Sequence, residues 1–272
     1  IYTRHEKYFL RGQAGYVNFS EHYWGIGNET LPEKEYETLL YQRTYFQPRT
    51  LRKIGHRAFG GLNLNYSQTY NIRALDSDWN EQITGATGST VLGIGPNLTF
   101  DHRDNPYSPV RGWYLEATTL HYRKAWGSQF QYNEYHLDFR KYHTLSNRHF
   151  LGWQIVGNFA DGNVPLRELN RLGGPNLMRG YVGGRYRDRQ LLAAQTEYRI
   201  PIGRFFVWAA FASIGKVSRD VGDLWTTRDW RLGYGTGIRM LVNKQRKIYS
   251  RLDFALNDQF KPHFYFRIFD AF

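Results

Sequence analysis

Over most of its length this chain alternates apolar and polar residues one by one, and the polar positions carry so much charge that they cannot all face a dry core. From Trp230 to Val242, the residues Trp230, Leu232, Tyr234, Thr236, Ile238, Met240 and Val242 share one face, and Arg231, Gly233, Gly235, Gly237 and Arg239 share the other. Ile248, Leu252, Phe254 and Leu256 repeat the scheme against Tyr249, Arg251, Asp253 and Asn257. Phe264, Phe266, Ile268 and Phe272 do so against His263, Tyr265, Arg267 and Ala271, and Leu192, Ala194, Tyr198 and Ile200 against Gln195, Glu197 and Arg199. A repeat of two is the period of a strand. An unpaired charge in an apolar interior costs far more than packing returns, so the charged face either meets water or pairs with other charges.

About twelve such segments can be marked, at 6–18, 34–47, 54–71, 89–101, 112–123, 129–142, 149–160, 190–201, 205–215, 229–242, 247–257 and 262–272, with ends uncertain by a few residues. With two exceptions, the connections alternate long and short, the longest being 161–189. That asymmetry is the pattern of an outer-membrane barrel, with short turns on the periplasmic side and longer loops outside. An even strand count places both termini on the periplasmic side. Segments of this length suit the roughly 9–11 residues that a tilted strand needs to cross a bilayer. The fold class read from the sequence is therefore all-β, an antiparallel transmembrane β-barrel of about twelve strands in a single domain spanning 1–272.

Composition points elsewhere at first sight. Thirty-six Lys and Arg against 24 Asp and Glu give a formal charge of +12, and the mean hydropathy of −0.62 suggests a water-soluble basic protein. The longest apolar run, Phe205 to Ala212, falls far short of the roughly 20 residues of a membrane helix. A barrel reconciles these values, because only half of each strand faces lipid. Trp and Tyr gather near segment ends, as at Tyr8, Tyr23, Trp24, Trp113, Trp208 and Trp230, where amphipathic rings suit a lipid interface. The chain has no cysteine, which removes disulfide and thiolate chemistry.

No enzyme signature stands out. The chain has no G-x-S-x-G elbow, no H-E-x-x-H and no phosphate-binding Gly-rich loop with Lys. A non-enzyme without cofactor or metal is expected. Nucleic acid is not an expected partner either, because the arginines recur singly on strand faces beside acids such as Glu134, Asp138, Glu197 and Asp253, where a phosphate-binding groove would cluster them.

Four motifs carry a family resemblance. Gly173-Gly174-Pro175-Asn176-Leu177-Met178-Arg179-Gly180-Tyr181, followed by Gly184-Arg185-Tyr186-Arg187-Asp188, resembles the (V/I/M)-R-G-(F/Y) loop signature of the BamA/TamA superfamily of outer-membrane barrels, the bacterial surface antigen family. Asp101-His102-Arg103-Asp104-Asn105-Pro106, with Pro109 and Gly112, is similar to its D-x-R-D-N-P-x-x-P-x-x-G turn. Tyr23-Trp24-Gly25-Ile26-Gly27-Asn28 resembles its Y-x-G-I-G-N segment, and the chain ends on the aromatic Phe272, like the terminal assembly signal of outer-membrane strands. The four occur in the family's order across nearly the whole chain.

The resemblance implies a barrel in the outer membrane of a Gram-negative bacterium. The family's usual barrel has sixteen strands, five of them after the signature loop. Here five follow and seven precede, so two readings stand: a short member closing the strand at 6–18 on the one at 262–272, which is favoured because an open edge in lipid leaves backbone groups without partners, or the C-terminal part of a sixteen-stranded barrel. Nothing in 1–272 corresponds to periplasmic repeat domains or a lipase domain.

By the same resemblance, the loop at 161–189 folds back into the lumen, where Met178, Arg179, Gly180, Tyr181, Arg185 and Asp188 are its site residues and Arg179 pairs with acids on the wall. Asp253 and Glu197 are the partners expected. Ser213 stands where the family often has an Asp, which shifts the emphasis to Asp253. The turn residues Asp101, Arg103, Asp104, Asn105, Pro106 and Gly112 read mainly as turn formers on a periplasmic connection. Implied functions are assisted insertion or translocation of proteins, or movement of lipids, through a weak seam between first and last strands. The alternative is a passive or loop-plugged pore. Implied partners are outer-membrane phospholipid and lipopolysaccharide, client outer-membrane proteins, or a separate periplasmic or lipase protein.

Overall fold

A computed structural model describes residues 2–3, 7–75, 79–146 and 149–272. Its strands are β1 (Tyr2–Thr3), β2 (Tyr8–Tyr23), β3 (Glu37–Gly55), β4 (Ala58–Ala74), β5 (Ser89–Asp101), β6 (Gly112–Tyr122), β7 (Tyr132–Ser146), β8 (His149–Gly162), β9 (Asn170–Leu172), β10 (Tyr186–Asp188), β11 (Gln190–Ile202), β12 (Phe206–Ser218), β13 (Arg231–Asn243), β14 (Ile248–Asn257) and β15 (Pro262–Ile268). All except β9 and β10 form one antiparallel sheet in which sequence neighbours pair, with β8 passing directly to β11. Twelve of these strands answer to the twelve alternating segments, but β2 runs to Tyr23 where the alternation predicts an end at 18, and β3 runs through the expected connection 48–53 to Gly55. β9 and β10 pair with each other inside the long connection 163–189, and Arg187 of β10 also bridges to Gly27.

Side chains are distributed inside out relative to a soluble protein. Leu62, Leu98, Leu137, Ile155, Ile238, Leu252 and Phe264 are exposed, Phe264 by 72%, whereas Asn63, Asn97, Glu116, Asp138, Glu197, Arg239 and Asp253 are buried, Asp253 completely. Alternation makes this possible: apolar residues of one parity point outward, and the other parity, which carries the charged and amide side chains, lines a lumen. No helix among the described residues is long and apolar enough to cross a membrane, which says nothing against crossing with strands.

The lumen is not empty. Two apolar clusters fill it around the 163–189 connection. One sets Val164, Leu166 and Leu169 against Tyr23, Leu39, Val91, Tyr122 and Tyr132, and the other sets Leu172, Met178, Tyr181 and Tyr186 against Leu191, Ala193 and Val217.

Two expectations are corrected at the ends of the sheet. The alternation predicts a last strand reaching Phe272, but β15 stops at Ile268 because Phe269 adopts a left-handed backbone (φ 75°). The chain then turns inward, so that Phe272 is buried and stacks on Tyr142 at 6.2 Å between ring centroids, and Asp270 meets Arg199 at 2.9 Å. Nor does the strand at 6–18 close on the one at 262–272: among the described residues no ladder joins β2 to β15. The short reach of β15 explains part of this. Tyr2–Thr3 explains another part, since it pairs with Tyr8 and Phe9 along the β2 edge not taken by β3.

Candidate functional site

The central feature of the lumen is a buried ion cluster that fastens the 163–189 connection to the wall. Arg179 is 1% exposed and reaches Glu197 Oε2 at 2.8 Å and Asp253 Oδ2 at 3.0 Å with the same Nη1. Arg239 joins the same two acids from β13, at 2.9 and 2.5 Å. Arg251 holds Asp253 at 2.9 Å and turns its Nη2 to the carbonyl of Pro175 and the Asn176 Oδ1, each at 2.7 Å. Arg199 bonds Glu197 at 2.7 Å. Strand register places the acids: Glu197 on β11 and Asp253 on β14 both point inward because their parity matches the polar face. The Arg179 guanidinium carbon also lies 3.4 Å from the Phe211 ring centroid. Hydrogen bonds between charged partners are the strong kind, and they gain strength away from bulk water.

The backbone around Arg179 is fitted to the wall. Gly180 has φ 107°, and a Cβ there would lie 2.6 Å from the Leu256 carbonyl oxygen. Its N–H donates to Tyr265 Oη at 3.1 Å, while Tyr265 in turn donates to the Tyr181 carbonyl at 2.8 Å. Tyr181 donates its hydroxyl to the Leu232 carbonyl at 3.0 Å. On the wall side, Gly233 leaves the space that the Arg179 carbonyl occupies, since a Cβ at 233 would sit 2.1 Å from it. Met178 is fully buried with φ 59°. Ser213, where the family often has an acid, donates to the Gly233 carbonyl at 3.0 Å. Arg179 has both Glu197 and Asp253 as partners.

A second ion cluster was not anticipated from the sequence. Glu21 on β2 receives Arg167, Arg171 at 3.4 Å and Arg187 at 3.1 Å, all three from the connection. Arg167 also donates to Tyr41 Oη at 2.5 Å, and Glu168 meets Arg43 at 3.2 Å. The connection is therefore pinned to both halves of the wall. The signal available in the sequence was Arg187, inside the signature stretch, but nothing there identified its acid.

The remaining motif residues bind the same loop or close turns. Arg185 donates to Thr30 Oγ1 at 2.6 Å and to the Leu31 carbonyl at 2.8 Å. Gly27 donates its N–H to the Arg187 carbonyl at 2.8 Å and Asn28 donates to the Val217 carbonyl of β12 at 2.8 Å, so the Tyr23–Asn28 segment docks on the signature loop and on the wall beside it. Asp188 accepts the Arg189 N–H at 2.8 Å, and burial raises its carboxyl above the usual range. In the turn after β5, Asp101 holds the Arg103 guanidinium at 2.9 and 2.8 Å, Asp104 accepts the N–H groups of Val110 and Arg111, and Asn105 accepts those of Tyr107 and Ser108. Arg103 also donates to the Pro106 carbonyl at 3.3 Å. Gly112, at φ 101°, packs where a Cβ would lie 2.1 Å from the His102 carbonyl oxygen. These contacts make a stiff turn, as asparagine and aspartate do when they bond nearby backbone. No group of ligands for a metal occurs among the described residues.

Comparison with known proteins matches residues 8–272 to the family model described as the Omp85 superfamily domain. Among solved structures, a crystal structure of BamA from Haemophilus ducreyi lacking POTRA domains 1-3 superposes with a TM-score of 0.62 at 13% identity, over 95% of this chain and 61% of that one. The chain thus spans about three fifths of the length of that relative, and at this identity the likeness shows the fold alone. The CymD monoaromatic hydrocarbon channel aligns over 92% of this chain and 75% of its own at 11% identity, with a TM-score of 0.38 that carries no argument. No curated protein matches the chain.

Proposed function

Because this chain belongs to the Omp85 superfamily, an outer-membrane β-barrel family, we propose that it assists the insertion or translocation of proteins, or the movement of lipids, in the outer membrane of a Gram-negative bacterium. Both termini then lie on the periplasmic side, where the short turns are. The observation that carries this reading is a barrel held from within by its loop but not joined by a ladder between β2 and β15. The loop holds β11 and β14 through Arg179 and Arg251 and β2 through Glu21, while β2 and β15 share no ladder among the described residues. In lipid, backbone groups at such a break need partners, and a client strand or lipid headgroups would supply them. The proposed role is non-catalytic and needs no cofactor. Phospholipid and lipopolysaccharide are the proposed lipid partners, with client outer-membrane proteins or a separate periplasmic or lipase protein beside them, and no nucleic acid.

A passive pore is the second reading. It is favoured by a polar cleft of about 500 Å³ along the β2–β7 wall, lined by Arg11, Gln47, Asn63 and Asn65 among others. Purified protein in liposomes separates the two. Lipid scrambling or faster insertion of an unfolded barrel client, without steady conductance, supports the first reading. A steady conductance without either activity supports the pore.

A further inference from the structure

The lumen lining changes character toward the short-turn end, next to the break between β2 and β15. Along β2 the inward residues run from Gln13 through Arg11 to Phe9, and along β3 from Gln47 through Arg49 to Leu51. Amides therefore lie deepest, a pair of arginines comes next and an apolar rim lies outermost, joined there by Phe59 and Phe269. These residues border a cleft of about 570 Å³ that is lined from both flanks of the break, by Phe9 and Arg11 on one side and Phe269 to Phe272 on the other.

Arg11 and Arg49 stand directly opposite in the β2–β3 register, an arrangement that costs stability for like charges. Arg49 has Glu116 at 2.6 Å. The other acids near the cleft are engaged as well: Asp101 by Arg103, Asp138 by Arg140, and Asp270 by Arg199. Arg11 alone among these cations has no ion partner in the described residues, and it is solvent-exposed. The cleft thus offers a guanidinium without an ion partner among the described residues, one step inside an apolar rim.

We propose that this cleft binds an anionic phospholipid, its phosphate on Arg11 beside Arg49 and its acyl chains against Phe9, Leu51 and Phe269 at the rim. Guanidinium suits phosphate because its planar N–H fork matches two phosphate oxygens. Phosphate alone would be satisfied by the arginines, but the apolar rim in line with them fits an amphiphile entering headgroup first. The site bears on the lipid-moving arm of the proposed function without requiring it, since binding in detergent succeeds or fails independently of scrambling in vesicles.

The test is native mass spectrometry of the folded barrel in detergent with phosphatidylglycerol, phosphatidylethanolamine or inorganic phosphate added. Wild type should retain one phosphatidylglycerol in preference to phosphatidylethanolamine. Arg11→Gln should weaken that retention about tenfold, and Phe269→Gln should weaken lipid retention while leaving any phosphate adduct unchanged. In the wild-type protein, phosphatidylglycerol should shield Arg11 from phenylglyoxal, read by peptide mass spectrometry, which keeps the test valid if Arg11→Gln fails to fold. Equal retention by Arg11→Gln, or no shielding of Arg11, overturns the site. Shielding by inorganic phosphate as strong as that by the lipid overturns the lipid assignment, as does displacement of the lipid by a peptide ending in a phenylalanine carboxylate.

Discussion

Four arginines, at 179, 199, 239 and 251, share three acids, Glu197, Asp253 and Asp270. That imbalance ranks the residues. Removing Arg179 leaves three cations for three anions, so the wall stays neutral and only the loop loses its anchor. Removing the charge of Asp253 leaves four buried guanidiniums for two acids, and breaking a buried pair typically costs about 3–5 kcal/mol. Arg179→Ala should therefore free the loop for protease cleavage and lower the temperature at which the folded band disappears on a semi-native gel, and Asp253→Asn should lower it further. No change with Arg179→Ala would remove the anchoring role. Glu21→Gln should likewise expose the bonds after Arg171 and Arg187 to trypsin while the rest of the barrel stays folded, because Glu21 is the acid facing three arginines of the loop. Arg179, Glu197 and Asp253 were legible because a motif named the cation and clean alternation placed both acids on the inner face. Glu21 was not, because the inward row of β2 mixes Phe9, Arg11, Val17, Phe19 and Glu21, so no greasy face reveals which side is which.

At the scale of elements, the small inward residues of β13 serve the loop lying on them. Gly233→Ala would drive a methyl group into the Arg179 carbonyl, so it should weaken the loop anchor about as much as Arg179→Ala, read by the same protease assay, while leaving strand content by circular dichroism unchanged. The strands themselves were readable from period two, and their order followed from short connections between antiparallel neighbours. The inward turn after Ile268 was not, since alternation continues through Phe272 while the direction of the backbone depends on a positive φ at Phe269, which no non-glycine residue announces. The small β9–β10 ladder escaped for a related reason: three-residue strands carry too little pattern to be distinguished from loop.

For the whole molecule, outward apolar residues and inward ions predict a solvent requirement. Leu252→Arg, on the outer face and 57% exposed, should cost about 2–4 kcal/mol in folding into vesicles if the site lies near the bilayer midplane, as lipid-facing charges do, measured by urea titration of the folded fraction. The pinning of the long connection has a mechanical counterpart. Its contacts stiffen the long-loop end all round and the β11–β14 wall along its length, leaving the short-turn ends of β2 and β3 as the compliant corner of the cylinder. Amide hydrogen exchange should reveal that gradient, slowest at Glu197 and Asp253 and fastest near Phe9 and Leu51. A bilayer that thins or thickens around the barrel would be accommodated at that corner first, so membrane thickness itself becomes a force applied to one particular pair of strand ends.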